Sequence, residues 1–313
     1  MYKYIIKRLL ALIPVILGVV FIIYLILYLT PGDVTTTILG QNYTVEAAEQ
    51  LRKDLGLDKP FLVQFFSYIL NMLHGDLGTS YVSGLPVTEV VGARFPNTLL
   101  LVTVSMVLCT VLSVPIGIQS AVKPNSIFSN FTAALGMIGI ALPSFWLGLM
   151  LILLFCVHLG WLPSAGSATL KGIILPSITL CASFMASTMR TTRSSMLEAL
   201  NQDYIRTARA KGVSKNDVVY NHALKNALLP LITVVGMNIG TQMGGSVLTE
   251  TVFSYPGIGR LLMEGINSRD NPIVLGCLVL MALSIGIINL IVDVLYAYVD
   301  PRLRSQYVRK GKK

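Results

Sequence analysis

The chain is short of charge. Only 12% of its 313 residues are Asp, Glu, Lys or Arg, against about a quarter in ordinary soluble domains. So few charges cannot clothe a water-soluble fold of this size. Cysteine is sparse: Cys109, Cys156, Cys181 and Cys277 each sit in a different apolar stretch. That spacing excludes a disulfide framework or a thiolate cluster and leaves four small buried hydrophobes. Histidine is scarcer still, and His74, His158 and His222 fall in three separate regions. No nucleophile–base–acid set and no metal cluster assembles from them, so no catalytic, metal or cofactor residue is expected. The phosphate-binding pattern G-x-x-x-x-G-K-[ST] is missing too, which excludes a nucleotide site of that kind on this chain.

What fills the chain is apolar. Hydrophobic residues make up 54% of it, and the mean hydropathy is +0.70. Six stretches reach the roughly 20 residues that a helix needs to cross a hydrocarbon core. They are Leu9–Leu29, Thr98–Val122, Phe131–Val157, Gly172–Met189, Leu231–Thr249 and Ile273–Tyr298. Lipid offers no partner for a free N–H or C=O, so each must be helical. The expected fold class is an all-α integral membrane protein with six transmembrane helices. The first stretch reads as an anchor. Its apolar run exceeds the roughly 7–15 residues of a signal-peptide core, and Tyr28-Leu-Thr-Pro-Gly32 lacks a small-x-small cleavage pattern.

The net charge of +9 does not point to nucleic acid, because of where the charge lies. Lys3, Lys7 and Arg8 precede the first stretch and Lys123 follows the second. Arg190, Arg193, Arg206, Arg209, Lys211, Lys215 and Lys225 follow the fourth, and Arg302, Arg304, Arg309, Lys310, Lys312 and Lys313 form the tail. With six crossings these all fall on one side, while the three opposite loops share seven basic residues. That is positive-inside bias, with both termini cytoplasmic, and anionic lipid is a sufficient partner. The organisation expected is an N-terminus and first helix (1–30), an extracytoplasmic loop (31–97), a five-helix core (98–300) carrying an inner loop (190–229), and a basic tail (301–313).

The outer loop is helical in pattern. Thr44 suits the cap of a helix running to about Leu55, with Glu46 and Glu49 near its positive end and Gly56 as its stop. Pro60 suits the start of a second helix, Phe61–Leu73, closed by His74-Gly75. This apolar helix is too short to span and is expected at the interface or over the bundle mouth. The loop is either a folded cap or a docking rim for an external partner.

The inner loop is the most informative segment. Met196–Lys211 reads as a helix, and Gly212 sits where a left-handed residue would end it. Ser214 and Asp217 have capping-box spacing. A second helix is expected to follow to about Leu229, after which Pro230 opens the fifth span. The product is a helix–glycine–helix elbow. Small Ala208, Ala210 and Gly212 would let another protein approach closely, while Arg206, Arg209 and Lys211 would orient it.

The string Gln202-Asp-Tyr-Ile-Arg-Thr-Ala-Arg-Ala-Lys-Gly212 resembles the ATPase-docking EAA loop of ABC importer permeases, in the oligopeptide/dipeptide/nickel branch. Ala208, Gly212 and Leu229-Pro230 match the general motif, whereas Arg206 and Thr207 replace its Glu-Ala, as is typical of that branch. A literal Glu46-Ala47-Ala48 lies in the outer loop and is a decoy. Further similar blocks run along the chain in order: Leu55–Pro60, Gly75–Ser80, Pro143–Gly148, Gly160–Pro163, Glu250–Gly257 and Asp300–Arg302. The long first loop is similar to the B-type member of a permease pair. The resemblance implies a multi-pass protein of the bacterial cell (inner) membrane, partnered by a second permease, two cytoplasmic ATPases that bind ATP and Mg, and an extracytoplasmic binding protein. It also implies that Arg206, Thr207, Ala208, Arg209, Ala210, Lys211, Gly212, Val213 and Ser214 form the ATPase-coupling segment. Small peptides are the expected cargo, with nickel or metallophore complexes and glutathione as alternatives.

Within the spans, Gly236, Gly240 and Gly244 form a small-xxx-small face. With Asn238, Thr241 and Gln242 nearby, it serves helix packing, the translocation pathway or both. Asp293 is read as half of a structural ion pair with a basic inner-loop residue. After Pro143, Trp146 is either an interfacial anchor or a gate residue. The rival reading, an ion-coupled secondary transporter, would want paired mid-membrane charges and an inverted repeat.

Overall fold

The computed structural model describes residues 2–30, 34–40 and 44–299. The basic tail 301–313 and the Asp300–Arg302 block lie outside the described residues. Among the described residues all regular elements are helices, apart from one isolated β-bridge between Thr79 and Pro86.

The first helix, α1 (Tyr2–Leu29), is followed by α2 (Val34–Leu39), α3 (Val45–Asp54) and α4 (Phe61–Leu73). Thr44 accepts a hydrogen bond from Ala47 N at 3.3 Å, which caps α3 as its side-chain chemistry dictates. α4 keeps the bounds read from the sequence. Its aromatic face, Phe61, Phe65 and Tyr68, interlocks with Phe21, Tyr24 and Tyr28 of α1, for example Phe21 and Phe65 edge to face at 5.4 Å. Its other face leaves Leu62, Phe66, Leu70 and Leu73 exposed.

The core begins with α5 (Val87–Val122), then α6 (Ile127–Ala141), α7 (Ser144–Leu151) with a π-helical continuation over Ile152–His158, and α8 (Leu170–Leu200). After α9 (Asp203–Ala210) come α10 (Lys215–Asp217), a π-helical turn over Val218–Ala223, α11 (Leu224–Val252), α12 (Ile258–Asn267) and α13 (Asn271–Val299). α8 is the central helix: 61% of its most apolar window is buried, against 6% for α1. α5 and α11 pack along it. Glycine sets the closest approach, since a Cβ on Gly117 of α5 would meet Thr192 Cβ of α8 at 2.6 Å.

Among the described residues, five helices are long and apolar enough to cross a membrane. The expected third span, Phe131–Val157, is not one rod. It breaks at Leu142-Pro143, and the two halves meet at 102°. Pro143 has no N–H to donate and pushes Leu142 into an extended conformation (φ −80°, ψ 124°). With this bent pair counted as one span, the total is six. The second span also starts earlier than Thr98: α5 begins at Val87 and carries Pro96 within it.

Two apolar clusters mark the ends of the bundle. Ile118 and Ala121, near the end of α5, pack with Met196, Ile205, Ala208, Val218 and Ala223. Val87 and Val91, at its start, pack with Ile258, Leu262, Ile273 and Cys277. A helix of 36 residues rises about 54 Å, so these clusters lie on opposite sides of any bilayer the bundle spans.

Candidate functional site

At the end that carries the basic loop, the elbow exists but is built differently from the sequence expectation. Met196–Lys211 is not one helix. α8 runs straight out of its span to Leu200, and the chain turns at Asn201-Gln202 before α9 starts at Asp203. Asp203 stands in the first turn of α9, where a carboxylate suits the positive end of the helix. The exit differs as well. No break separates an inner helix from the fifth span, because the helical path from Lys215 to Val252 carries Pro230 inside it.

The turn itself matches its sequence signature. Gly212 has φ 78°, Gly212 N donates to Arg209 O at 3.0 Å, and Val213 N donates to Ala208 O at 3.2 Å. These two bonds define a Schellman end. Ser214 Oγ accepts from Asp217 N at 3.2 Å and donates to Asp217 Oδ2 at 2.7 Å. The carboxylate therefore returns to the serine hydroxyl, and Asn221 donates to its other oxygen at 2.8 Å.

α9 is strongly two-faced. Ile205 is fully buried and Ala208 is 7% exposed, both in the cluster that joins α5, α8 and α11. Ala208 is therefore an anchor and not part of the approach surface. Arg206, Thr207, Arg209, Ala210, Lys211, Gly212 and Ser214 are exposed, and Val213 is half-buried. A Cβ at Gly212 would meet nothing within 4 Å, so the glycine is required by its φ and not by crowding inside the chain. Arg206 pairs with Asp203 at 3.5 Å, fully in water.

The small-residue face of α11 divides. A Cβ on Gly236 would lie 2.4 Å from Val292 Cγ1 of α13, so this glycine serves packing within the chain. Gly240 is buried against Asn289, whereas Gly244 and Gly245 are exposed with open space above them. Met237, Thr241, Gly244 and Leu248 form an exposed stripe. Asn238 and Gln242 point the other way: Asn238 donates to Thr188 Oγ1 of α8 at 3.1 Å, and Gln242 donates to Met106 Sδ of α5 at 2.9 Å. They hold the three helices together and do not face the open stripe. Asp293 forms an ion pair, but its partner is Arg8 of α1 at 3.2 Å and not an inner-loop residue. Sequence reasoning missed this because it is a contact between the first and last helices.

The opposite end holds two buried carboxylates, Glu250 and Asp270. Glu250 is fully buried. It accepts from Thr98 Oγ1 at 2.8 Å, Gly259 N at 2.7 Å and Arg260 N at 3.1 Å, and so caps the start of α12 from a neighbouring helix. A Cβ on Gly257 would collide with its carboxylate. Burial, then Glu250, push Tyr255 up to about 12, and its hydroxyl donates to Asn97 O at 3.1 Å. Asp270, 2% exposed, accepts from Ser80 Oγ at 2.5 Å and Tyr81 N at 3.1 Å. α12 is thereby fastened at both ends. The sequence reads Glu250 and Tyr255-Pro-Gly257 together as a re-entrant or capping turn; Asp270, at the other end of α12, carries no such signature.

The described residues thus form a helical bundle of candidate membrane spans with a soluble elbow seated directly on them. The chain belongs to the binding-protein-dependent transport system inner membrane component family, whose model matches residues 113–305, with the corresponding N-terminal component matched over residues 1–102. It is the permease subunit of an ABC importer, a multi-pass protein of the inner membrane. It is 43% identical over 314 residues to the oligopeptide transport system permease protein AppB of Bacillus subtilis (strain 168), covering 97% of this chain and 99% of that one. It is equally 43% identical over 304 residues to the glutathione transport system permease protein GsiC of Salmonella typhimurium, with the same coverage. An inward-facing structure of the MetNI methionine ABC transporter matches with a TM-score of 0.59 at 20% identity, over 68% of this chain and 97% of that one. That likeness concerns the fold.

Proposed function

We propose that this permease carries small peptides, glutathione among them, and that α9 with Gly212 docks the ATPase. The cargo reading is supported by near-full-length identity to both an oligopeptide and a glutathione permease. Glutathione is itself a tripeptide, so one pathway for short peptide backbones accommodates both. The nickel or metallophore alternative keeps only the family resemblance as support.

The coupling reading rests on one observation above all: α9 is buried on one face among the ends of α5, α8 and α11, and bare on the other. A protein pressing on the bare face pushes three spans at once. In this reading the basic loop is cytoplasmic, the long loop and α12 are extracytoplasmic, and ATP and Mg reside on two partner ATPases. A homologous second permease completes the pathway along the exposed α11 stripe. An extracytoplasmic binding protein delivers the cargo, and nucleic acid plays no part.

The test is co-purification from the native membrane followed by reconstitution. A second permease and ATPases should accompany the chain, and ATP-dependent uptake of a labelled dipeptide should be inhibited by unlabelled di- and tripeptides. Uptake driven by an ion gradient and indifferent to ATP would overturn it.

A further inference from the structure

Five helix ends among the described residues close through the same pair of hydrogen bonds. Three of them turn on glycine: Gly56, Gly75 and Gly212, at φ 65°, 83° and 78°. The other two turn on residues with a Cβ: Ser254 at the end of α11, at φ 50°, and Arg269 at the end of α12, at φ 56°, where Arg269 N donates to Ile266 O at 3.2 Å and Asp270 N to Gly265 O at 2.8 Å. That region disfavours any residue with a Cβ and welcomes glycine. An arginine kept there points to a use for its side chain.

Arg269 lines an open cavity of about 1150 Å³ among α1, α3, α4, the 77–81 segment and the start of α13. Part of its lining is apolar, from Ile23 and Leu27 of α1 to Leu275 and Leu278 of α13. The lining also carries the cations Arg52, Lys59 and Arg269 and one carboxylate, Asp54, which accepts from Gln50 at 2.9 Å. Tyr68 also lines it, and its buried hydroxyl has no hydrogen-bond partner among the described residues. The neighbouring Asp270, locked onto Ser80 and Tyr81, fixes the backbone from which Arg269 projects.

We propose that this cavity holds one anionic phospholipid from the leaflet at this end of the bundle. The phosphate is drawn to the Arg269 and Lys59 rim, the Tyr68 hydroxyl donates to a headgroup oxygen, and the upper acyl chains lie on the apolar wall. Lipid is favoured over cargo for two reasons. No residue between Val87 and Val252 lines the cavity, so it stands apart from the α11 stripe. The helices that wall it, α1 and α4, turn Ile22, Ile26, Leu62 and Phe66 outward, each more than half exposed, so the cavity opens among lipid-facing surfaces.

The full chain is purified in mild detergent and examined by native mass spectrometry with added phosphatidylglycerol, phosphatidylcholine, inorganic phosphate or a dipeptide. Wild type should retain one phosphatidylglycerol in preference to phosphatidylcholine. Arg269→Gly and Lys59→Gln should each lower that preference about fivefold, the effect of one cation near an anionic headgroup. Arg269→Gly should melt no earlier than wild type, because glycine suits the backbone, so its loss of lipid cannot reflect unfolding. An unchanged preference in both variants would overturn the proposal. Displacement of phosphatidylglycerol by inorganic phosphate or by the dipeptide would overturn it as well, in favour of a small-anion or cargo site.

Discussion

Removing the Glu250 carboxylate should loosen α12 more than any other single polar change at this end of the bundle. In Glu250→Ala the amides of Gly259 and Arg260 lose their acceptor, and the Thr98 hydroxyl loses one of its two partners, since it also accepts from Ile258 N at 2.8 Å. A buried donor stranded in this way costs about 1–3 kcal/mol. The two amides together therefore cost about 2–6 kcal/mol. Glu250→Gln keeps one oxygen and should cost about half as much. The local hydrogen bonds of Arg260, to Ser254 O at 2.6 Å and Glu264 at 2.7 Å, remain and keep the turn from dissolving. The assay is amide hydrogen exchange at the start of α12. Protection at Ile258 and Gly259 should fall at least about thirtyfold in Glu250→Ala, the equivalent of 2 kcal/mol. The fall should be smaller in Glu250→Gln and negligible in the elbow. Wild-type protection in Glu250→Ala would refute the claim that the carboxylate caps this helix.

Gly212→Trp should abolish cargo-stimulated ATP hydrolysis in the reconstituted importer while insertion persists. Gly212→Asn, which tolerates positive φ, should retain most of it, so equal loss in both would point to strain and not to a docking face. Gly236→Ala should cost about 1–3 kcal/mol through overpacking on Val292. Adding Val292→Ala should restore the melting temperature. Asp293→Asn should leave uptake near normal and stability within about 1 kcal/mol, because its partner Arg8 is half exposed. A collapse of uptake would reinstate a proton-relay role. A membrane-impermeant thiol reagent should reach a cysteine at Asp58 from outside intact cells and one at Lys215 only from inside.

What the sequence declared well was local. Helix ends written in Thr44, Gly56, Gly75, Gly212 and the Ser214–Asp217 pair all fold as their chemistry demands, because each depends on residues within one or two turns. What it concealed was tertiary. Pro230 reads as a boundary in a one-dimensional pattern, yet packing of α11 on α8 and α13 holds the helix through it. Pro143, with the same chemistry but less burial around it, does break its span. The partner of Asp293 lies 285 positions away at Arg8, and the acceptor roles of Glu250 and Asp270 become visible only once α12 folds back between them. The division of the Gly236–Gly244 face likewise depends on which neighbour each turn of α11 happens to meet.

The uninterrupted path from Lys215 to Val252 has a mechanical consequence. Its 38 residues amount to a strut of about 57 Å. One tip carries the elbow and the other carries the Glu250 latch. Within this subunit the two ends are therefore two points on a single lever, and a displacement imposed at Lys215 reaches the Glu250 cap of α12 along one helical path. The rung that Pro230 cannot supply is the compliant point along that lever. Flexing there separates the motions of the two ends, and stiffness there makes them one stroke.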